Sequence, residues 1–414
     1  MPSCRKHRSR IFVLGCFFAF AVKLTLSFTT YGTNDVLTWE ADLRKIQSEG
    51  GLALYRDGAA PSWQGKTYSV EPFNHPPFMI YLIRTWGKAS AVSSVPLRVW
   101  LRASGAVADL AMFLLVCGIL KAERLPVRRS ALLLLALSPV SILVSGFHGN
   151  TDPIMVCFLM LSIYFLDTGR SVWLAGAALG MAMNIKVVPI VFVPAILFAI
   201  GSWRSRIGFA LSAGLVWLAA SFPYLVQDPA LVIRGVFGYN PVSGSWGLPE
   251  IAYLLPGETL DRYRLIGRPL ALSVVLLASF WLHFRARSAT LFASCGLIAF
   301  LFVFVISGFG PQYLSWIVPW WVVLPWRKVG WFYIAASLYL IVLYTAWTRG
   351  GWYLANMMDH SPLPTGTLLV FLLEAACWIS VGTVVLAFVT EFQRGTVPPG
   401  PPTHIGQSGV DANS

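Results

Sequence analysis

Charge is scarce in this chain. Only 12% of its 414 residues are Asp, Glu, Lys or Arg, against 56% hydrophobic, and the mean hydropathy is +0.66. A water-soluble domain carries about 25% charged residues, so a soluble globular fold is excluded. Cysteine is also scarce. The six present (Cys4, Cys16, Cys117, Cys157, Cys295, Cys377) have no CxxC spacing and mostly lie inside apolar runs. They read as packed thiols, with neither disulfides nor a thiolate metal site. No small-x-small cleavage site follows the basic and apolar start over residues 3–28, so an uncleaved first span is expected. Residues 13–16 make a poor lipobox, with almost no apolar run before them.

What is abundant is long apolar sequence. Runs of about 20 residues, enough to cross a bilayer, recur along nearly the whole length. In lipid the backbone must satisfy its own hydrogen bonds, so these runs are helices. The expected fold is all-α, a polytopic membrane protein with about 11–13 transmembrane helices. Residues 1–394 are expected to form a single integral membrane domain, and 395–414, rich in Pro, Gly and Ser, a disordered cytoplasmic tail.

The net charge of +13 invites a nucleic-acid partner, and its distribution excludes one. Arg5, Lys6, Arg8 and Arg10 precede the first span, and Lys121, Arg124, Arg128 and Arg129 share a short loop. Arg204 with Arg206, Arg285 with Arg287, and Arg327 with Lys328 fill later short loops. This is the positive-inside pattern. It threads the chain from a cytoplasmic N-terminus through a span at 11–28 into a polar outer segment, 29–75. The apolar stretch 76–91 is interrupted by Arg84 and Lys88 and reads as an interfacial or re-entrant helix on the outer face. Spans follow at 96–120, 130–147 and 153–166. The stretch 172–200 has basic residues at both ends and Asn184, Lys186 and Pro189 in its middle, so two short helices meet at Lys186. After a span at 207–225 and an outer loop, 226–268, further spans are expected at 269–284, 289–307, 313–325, 329–347 and 365–389.

On this threading the remaining ionisable groups gather at the outer ends of spans. Asp35, in Tyr31-Gly32-Thr33-Asn34-Asp35, is either a general base for an acceptor hydroxyl, a helix cap or a solvated loop charge. Glu40 and Asp42 read as the solvated face of the helix after it. His75, in Phe73-Asn74-His75-Pro76-Pro77, stands either at an ordinary Pro-initiated helix start or as a phosphate ligand or proton donor. The turn from Gly146 to Pro153 contains His148, Asn150 and Asp152, more chemistry than a turn requires. Gln312 and Tyr313 open the segment Gly310-Pro311-Gln312-Tyr313-Leu314-Ser315-Trp316, whose aromatics also suit an interface belt. Lys186 is a deep cation, which is expensive in a membrane and usually functional; helix-end carbonyls or snorkelling are the structural alternatives. Arg102 and Asp109 share a face of one span, holding helices together or, for Arg102, reaching a substrate.

In this order the motifs resemble the GT-C glycosyltransferases that use polyprenyl-phosphate sugars. The nearest likenesses are the dolichyl-phosphate-glucose glucosyltransferases of N-glycan assembly and the catalytic subunit of GPI mannosyltransferase I. The likeness rests on the acidic residue after span one, the His-Pro-Pro segment, Arg102 with Asp109, His148-Gly149-Asn150, Asn184-Ile185-Lys186 and Pro311-Gln312-Tyr313. It implies a GT-C-like fold whose outer first loop contains interfacial helices. It also implies inverting transfer of a hexose, with mannose the expected sugar, from a lipid-linked donor to a glycan, glycolipid or protein acceptor. Transfer takes place on the extracytoplasmic face of a bacterial inner (plasma) or ER membrane. Asp35 matches the family's base, and His75, His148, Asn150, Asp152, Lys186, Gln312, Tyr313 and Arg102 are the expected substrate and donor-phosphate ligands. Val36 and Leu37 follow Asp35 where the family has polar residues, and the strict His-Phe-Gln-Tyr-Asn turn of some members is absent. No Gly-rich phosphate loop or DxD pair for a nucleotide sugar is present, no cofactor is implied, and no metal ligands are assigned. The rival class is a transporter or lipid flippase, which should show related repeats; Asn184-Ile185-Lys186 suits a helix break, but no matching second half is seen. A non-catalytic subunit of a transferase complex is the third reading.

Overall fold

The computed structural model describes residues 2–63, 66–67, 69–70, 72–125, 128–238, 246–286, 289–348 and 364–395, with the backbone alone for 2–10, 63, 66 and 364–367. The expected tail beyond residue 395 lies outside the described residues, as do the side chains of Cys4, Arg5, Lys6, Arg8 and Arg10.

The described residues are all-α apart from one short antiparallel ladder, β1 (Ser62–Trp63) with β2 (Lys66–Thr67). Helix α1 (Pro2–Thr29) leads to α2 (Asn34–Glu49), α3 (Leu52–Asp57), the ladder, α4 (Phe78–Ser93) and α5 (Leu97–Ala122). Proline punctuates these starts: Pro77 precedes α4 and Pro96 precedes α5, where a missing N–H costs nothing. The next span is assembled from α6 (Arg129–Ala136), α7 (Pro139–Ile142) and a π-helical turn, Leu143–His148. Then come α8 (Asp152–Asp167), α9 (Val172–Ile185), a 3₁₀ turn (Val188–Phe192) and α10 (Val193–Ala199). The two short helices meeting at Lys186 are present as expected, with Lys186 itself extended (φ −154°, ψ 137°).

Helix α11 (Trp203–Leu225) packs closely on α9. Gly176 and Gly180, spaced small-xxx-small, leave room for the α11 backbone at Phe209 and Ala213, where a Cβ would collide. Close backbone approach of this kind substitutes for the hydrophobic drive that helices lack in lipid. After α12 (Pro229–Gly238) and α13 (Gly247–Leu254), the chain continues through α14 (Thr259–Arg285) and α15 (Leu291–Val305). The segment expected as a span over 313–325 is instead a relay of a 3₁₀ turn (Pro311–Tyr313), α16 (Leu314–Ile317) and a second 3₁₀ turn (Val318–Val323). Pro311 and Pro319 interrupt it, and its buried Trp316, Trp320 and Trp321 hold it inside the bundle. Helices α17 (Trp326–Trp347) and α18 (Pro364–Arg394) close the fold.

Among the described residues, seven helical segments are long and apolar enough to cross a membrane: 11–29, 97–122, 129–148, 203–225, 259–285, 326–347 and 368–394. Shorter apolar helices (172–185, 188–199, 291–305) pass among them. Because consecutive spans run antiparallel, the bundle has two chemically different ends. One holds the loops with Lys121, Arg124, Arg128, Arg170, Arg204, Arg206 and Arg327. There Glu123, at the end of α5, accepts the Phe292 N–H of α15 at 3.1 Å. The other end holds α2, α3 and α4.

Two expectations are corrected. Asp42 is buried at 3% exposure, and Glu40 accepts the Tyr31 hydroxyl at 2.9 Å, so this face of α2 is packed rather than solvated. The cysteines were expected to be packed in the core, yet of Cys16, Cys117, Cys157, Cys295 and Cys377 only Cys295 and Cys377 are fully buried.

Candidate active site

At the end away from the basic loops, three chain turns converge on Asp35. Asp35 stands in the first turn of α2, where the helix dipole favours a carboxylate. It does not cap its own helix. Its Oδ2 accepts from Asn150 Nδ2 in a short bond and from His148 Nε2 at 3.1 Å. Its Oδ1 takes no hydrogen bond among the described residues, and 24% of the side chain remains exposed. Burial pushes this carboxyl up, but His148, the amide of Asn150 and the Lys186 charge outweigh it and hold the group below the ordinary carboxylate range. Asp35 is therefore ionised at neutral pH.

The π-helical turn and Gly149 set the geometry of its partners. A π turn widens the helix locally and swings its last side chain inward; that side chain is His148. Gly149 then takes a left-handed conformation (φ +86°) with Val36 against its Cα, a position without room for a Cβ. Three bonds lash this turn to α2: Thr33 N and Oγ1 both donate to His148 O (3.0 and 2.7 Å), and Trp39 Nε1 donates to Gly149 O at 3.2 Å. The Asn150 amide is oriented unambiguously, because its Oδ1 accepts the Thr151 N–H at 2.6 Å and the Asp152 N–H at 3.3 Å. The ring of His148 also meets the Tyr344 hydroxyl through Nδ1 at 2.6 Å.

Beside this cluster, Lys186 enters from the break between α9 and α10. Its Nζ bonds Asp152 Oδ1 at 2.9 Å and lies over the rings of Tyr313 (4.8 Å) and Trp316 (5.2 Å). The break that brings it there is stabilised by Asn184, which donates to Val216 O on α11 at 3.0 Å. Asp152 is fully buried, and its Oδ2 has no partner among the described residues; nor have Thr151 Oγ1 and Trp316 Nε1.

His75 completes the wall, packed against Trp39 (4.9 Å) and Phe73 (5.8 Å). Burial, and then the Lys186 charge, depress it to about 4. A neutral ring whose Nδ1–H goes to Ile185 O (3.1 Å) offers only an acceptor at Nε2. His75 is thus no fixed cation for a phosphate; it suits a hydroxyl. Arg102 lies apart from the cluster. Buried at 1% exposure, it donates to Leu26 O, Ser27 O, Thr30 O, Thr30 Oγ1 and Arg98 O, closing the C-terminal carbonyls of α1. Asp109 likewise serves α1, pairing with Lys23 and accepting from Ser141. Gln312 stands half-buried at the start of the turn that presents Tyr313.

The structure therefore gathers Asp35, His75, His148, Asn150, Asp152, Lys186 and Tyr313, and leaves Arg102 as a strut. The sequence reading missed Lys23, a lone cation in the first apolar run, and the aromatics Tyr344 and Trp39. The one signal of these two aromatics was a polar tip in buried sequence, which must find a partner.

Residues 74–226, which contain His75, His148, Asn150, Asp152 and Lys186, match the family model described as dolichyl-phosphate-mannose-protein mannosyltransferase. No curated protein matches the chain in sequence. Among solved structures the chain is similar to ArnT from Cupriavidus metallidurans bound to undecaprenyl phosphate, at 15% identity over 93% of this chain and 76% of that one, with a TM-score of 0.49. The apo form of the same ArnT gives 16% identity, 95% and 77% coverage, and a TM-score of 0.48.

Proposed function

We propose that this protein transfers a hexose, mannose in the first instance, from a polyprenyl-phosphate donor to a hydroxyl of a glycan, glycolipid or protein acceptor. The observation that carries this reading is Asp35: an ionised carboxylate with one oxygen held by two donors and the other open. Oδ1 takes the acceptor's proton as its oxygen attacks the anomeric carbon from the face opposite the phosphate. The sugar–phosphate bond breaks, its electrons leave with the polyprenyl phosphate, and the anomeric configuration inverts. Lys186 keeps N–H donors beyond the one given to Asp152 and faces the developing phosphate charge, where a preorganised cation is most effective. His75 accepts a sugar hydroxyl, and Asp152, fully buried, holds Lys186 in place. The family match over 74–226 supports a lipid-linked mannosyl donor.

Sidedness follows from the positive-inside rule. The basic loops occupy the end opposite Asp35, so the cluster faces the extracytoplasmic side of the membrane. The test is turnover of labelled polyprenyl-phosphate mannose and polyprenyl-phosphate glucose by the purified protein, beside Asp35→Asn at matched amounts. Transfer by the parent and a loss of about a hundred-fold or more in the variant are expected; equal rates overturn the assignment of Asp35. Turnover of the glucose donor alone replaces mannose, and turnover of neither favours transport. Impermeant labelling of Lys88→Cys from the cytoplasmic side alone overturns the sidedness.

A further inference from the structure

The bond between His148 and Tyr344 plays no part in the reaction as written, yet it links α17 to the catalytic turn across 196 residues. One side of the imidazole ring follows from donor and acceptor inventory. An ionised carboxylate can only accept, so the 3.1 Å contact at Asp35 Oδ2 places a proton on His148 Nε2. On the other side of the ring Nδ1 meets the Tyr344 hydroxyl at 2.6 Å. The Tyr344 ring cannot turn away, being fully buried and packed on Phe147 (5.4 Å) and Trp347 (5.8 Å).

We infer that Tyr344 is a positioning residue for transfer: its hydroxyl, bonded to His148 Nδ1, fixes the orientation of the ring with Nε2–H on Asp35 and so holds Asp35 with Oδ1 open to the acceptor. The inference rests on Asp35 as the base. Without the hydroxyl, the ring is free to turn about its Cβ–Cγ bond, which carries Nε2–H away from the carboxylate. Asp35 then loses one of its two anchors, and Oδ1 no longer has a single orientation. Asn150 alone cannot replace the lost anchor, because one hydrogen bond leaves the carboxylate free to rotate about it. A group acting in this way affects the chemical step, not donor capture, since neither Tyr344 nor His148 touches Lys186.

The test compares the parent with Tyr344→Phe, His148→Gln, the double variant and Asp35→Asn, using labelled polyprenyl-phosphate mannose. Tyr344→Phe keeps the ring and its packing, and melting in detergent reports whether the fold is retained. Expected is a fall in kcat of about ten-fold with donor KM unchanged, and a double variant no slower than His148→Gln alone, because Tyr344 acts through His148. A second readout needs no turnover. Nitrogen NMR of labelled histidine should find the His148 ring in a single environment in the parent and in several in Tyr344→Phe. Parent-like kcat in Tyr344→Phe with Asp35→Asn inactive overturns this inference and leaves Asp35 as base, as do fully multiplicative losses in the double variant. Parent-like turnover by Asp35→Asn overturns the base and this inference together. A ring as singly defined in Tyr344→Phe as in the parent overturns the inference whatever the rates.

Discussion

Asp109 and Asp35 are carboxylates of the same bundle, both bonded to neighbours far away in sequence, but their bonding is finished differently. Asp109 is saturated: Lys23 takes Oδ2, and Ser141 reaches Oδ1 at 2.9 Å and Oδ2 at 3.0 Å. Asp35 is half-saturated, with Oδ2 doubly bonded and Oδ1 open. Arg102 and Lys186 repeat the contrast among cations. Arg102 spends its donors on the carbonyls of α1, whereas Lys186 gives one bond to Asp152 and lies open to the cluster. A saturated buried charge fixes helices to each other; an unsaturated one beside it can still exchange a partner for substrate.

The contrast can be broken most directly by removing one carboxylate at a time. Asp35→Asn should abolish most transfer while the melting temperature stays near the parent's, since an amide retains the size of the side chain. Asp109→Ala should do the reverse. It strands the Lys23 ammonium in a buried site, at a cost of about 3 kcal/mol or more, read as a lower melting temperature in detergent with kcat per folded molecule preserved. Adding Lys23→Ala to Asp109→Ala should restore part of the stability, because no charge is then unpaired. If Asp109→Ala is as stable as the parent and inactive, the division between strut and site is wrong.

A smaller effect is expected at Lys186, which belongs to both categories. Lys186→Met should raise the donor KM by roughly ten-fold to a hundred-fold, the weight of one or two charge-assisted hydrogen bonds. It should also lower the melting temperature, because Asp152 is left buried and alone. Lys186→Met with Asp152→Asn should recover the stability and not the donor affinity. Recovery of both would make the pair structural.

The smallest effect concerns His75. Its folded-state value of about 4 lies below the ordinary 6.5, so the unfolded chain binds the proton more readily between those limits. Its contribution to stability is full above about pH 6.5 and is lost as the pH falls towards 4. The parent should melt progressively lower over that window, and His75→Gln should lose less. Identical acid sensitivity in the two proteins would show that His75 titrates normally and return it to the list of cations.

How much of this was legible in the residues differs element by element. The spans at 96–120 and 207–225 appear as α5 and α11 because a long apolar run in lipid has only one way to satisfy its backbone. The break at Lys186 was legible for the same reason in reverse, since Asn184, Lys186 and Pro189 cannot continue an apolar helix without cost. The relay at 311–323 was not, because two prolines in an aromatic run read as a single short span until Trp316, Trp320 and Trp321 are seen packed inward. The sequence alone determined that the protein is a helical membrane protein, and that Asp35, His148, Asn150 and Lys186 lie at span ends. These are consequences of local composition, decided within about 20 residues. Only the tertiary structure decided which oxygen of Asp35 is open, that Arg102 is consumed by α1, that His75 is neutral, and that Tyr344 faces His148. Each of those depends on partners brought from distant helices, and hydrogen-bond direction and burial have no sequence period from which to be read.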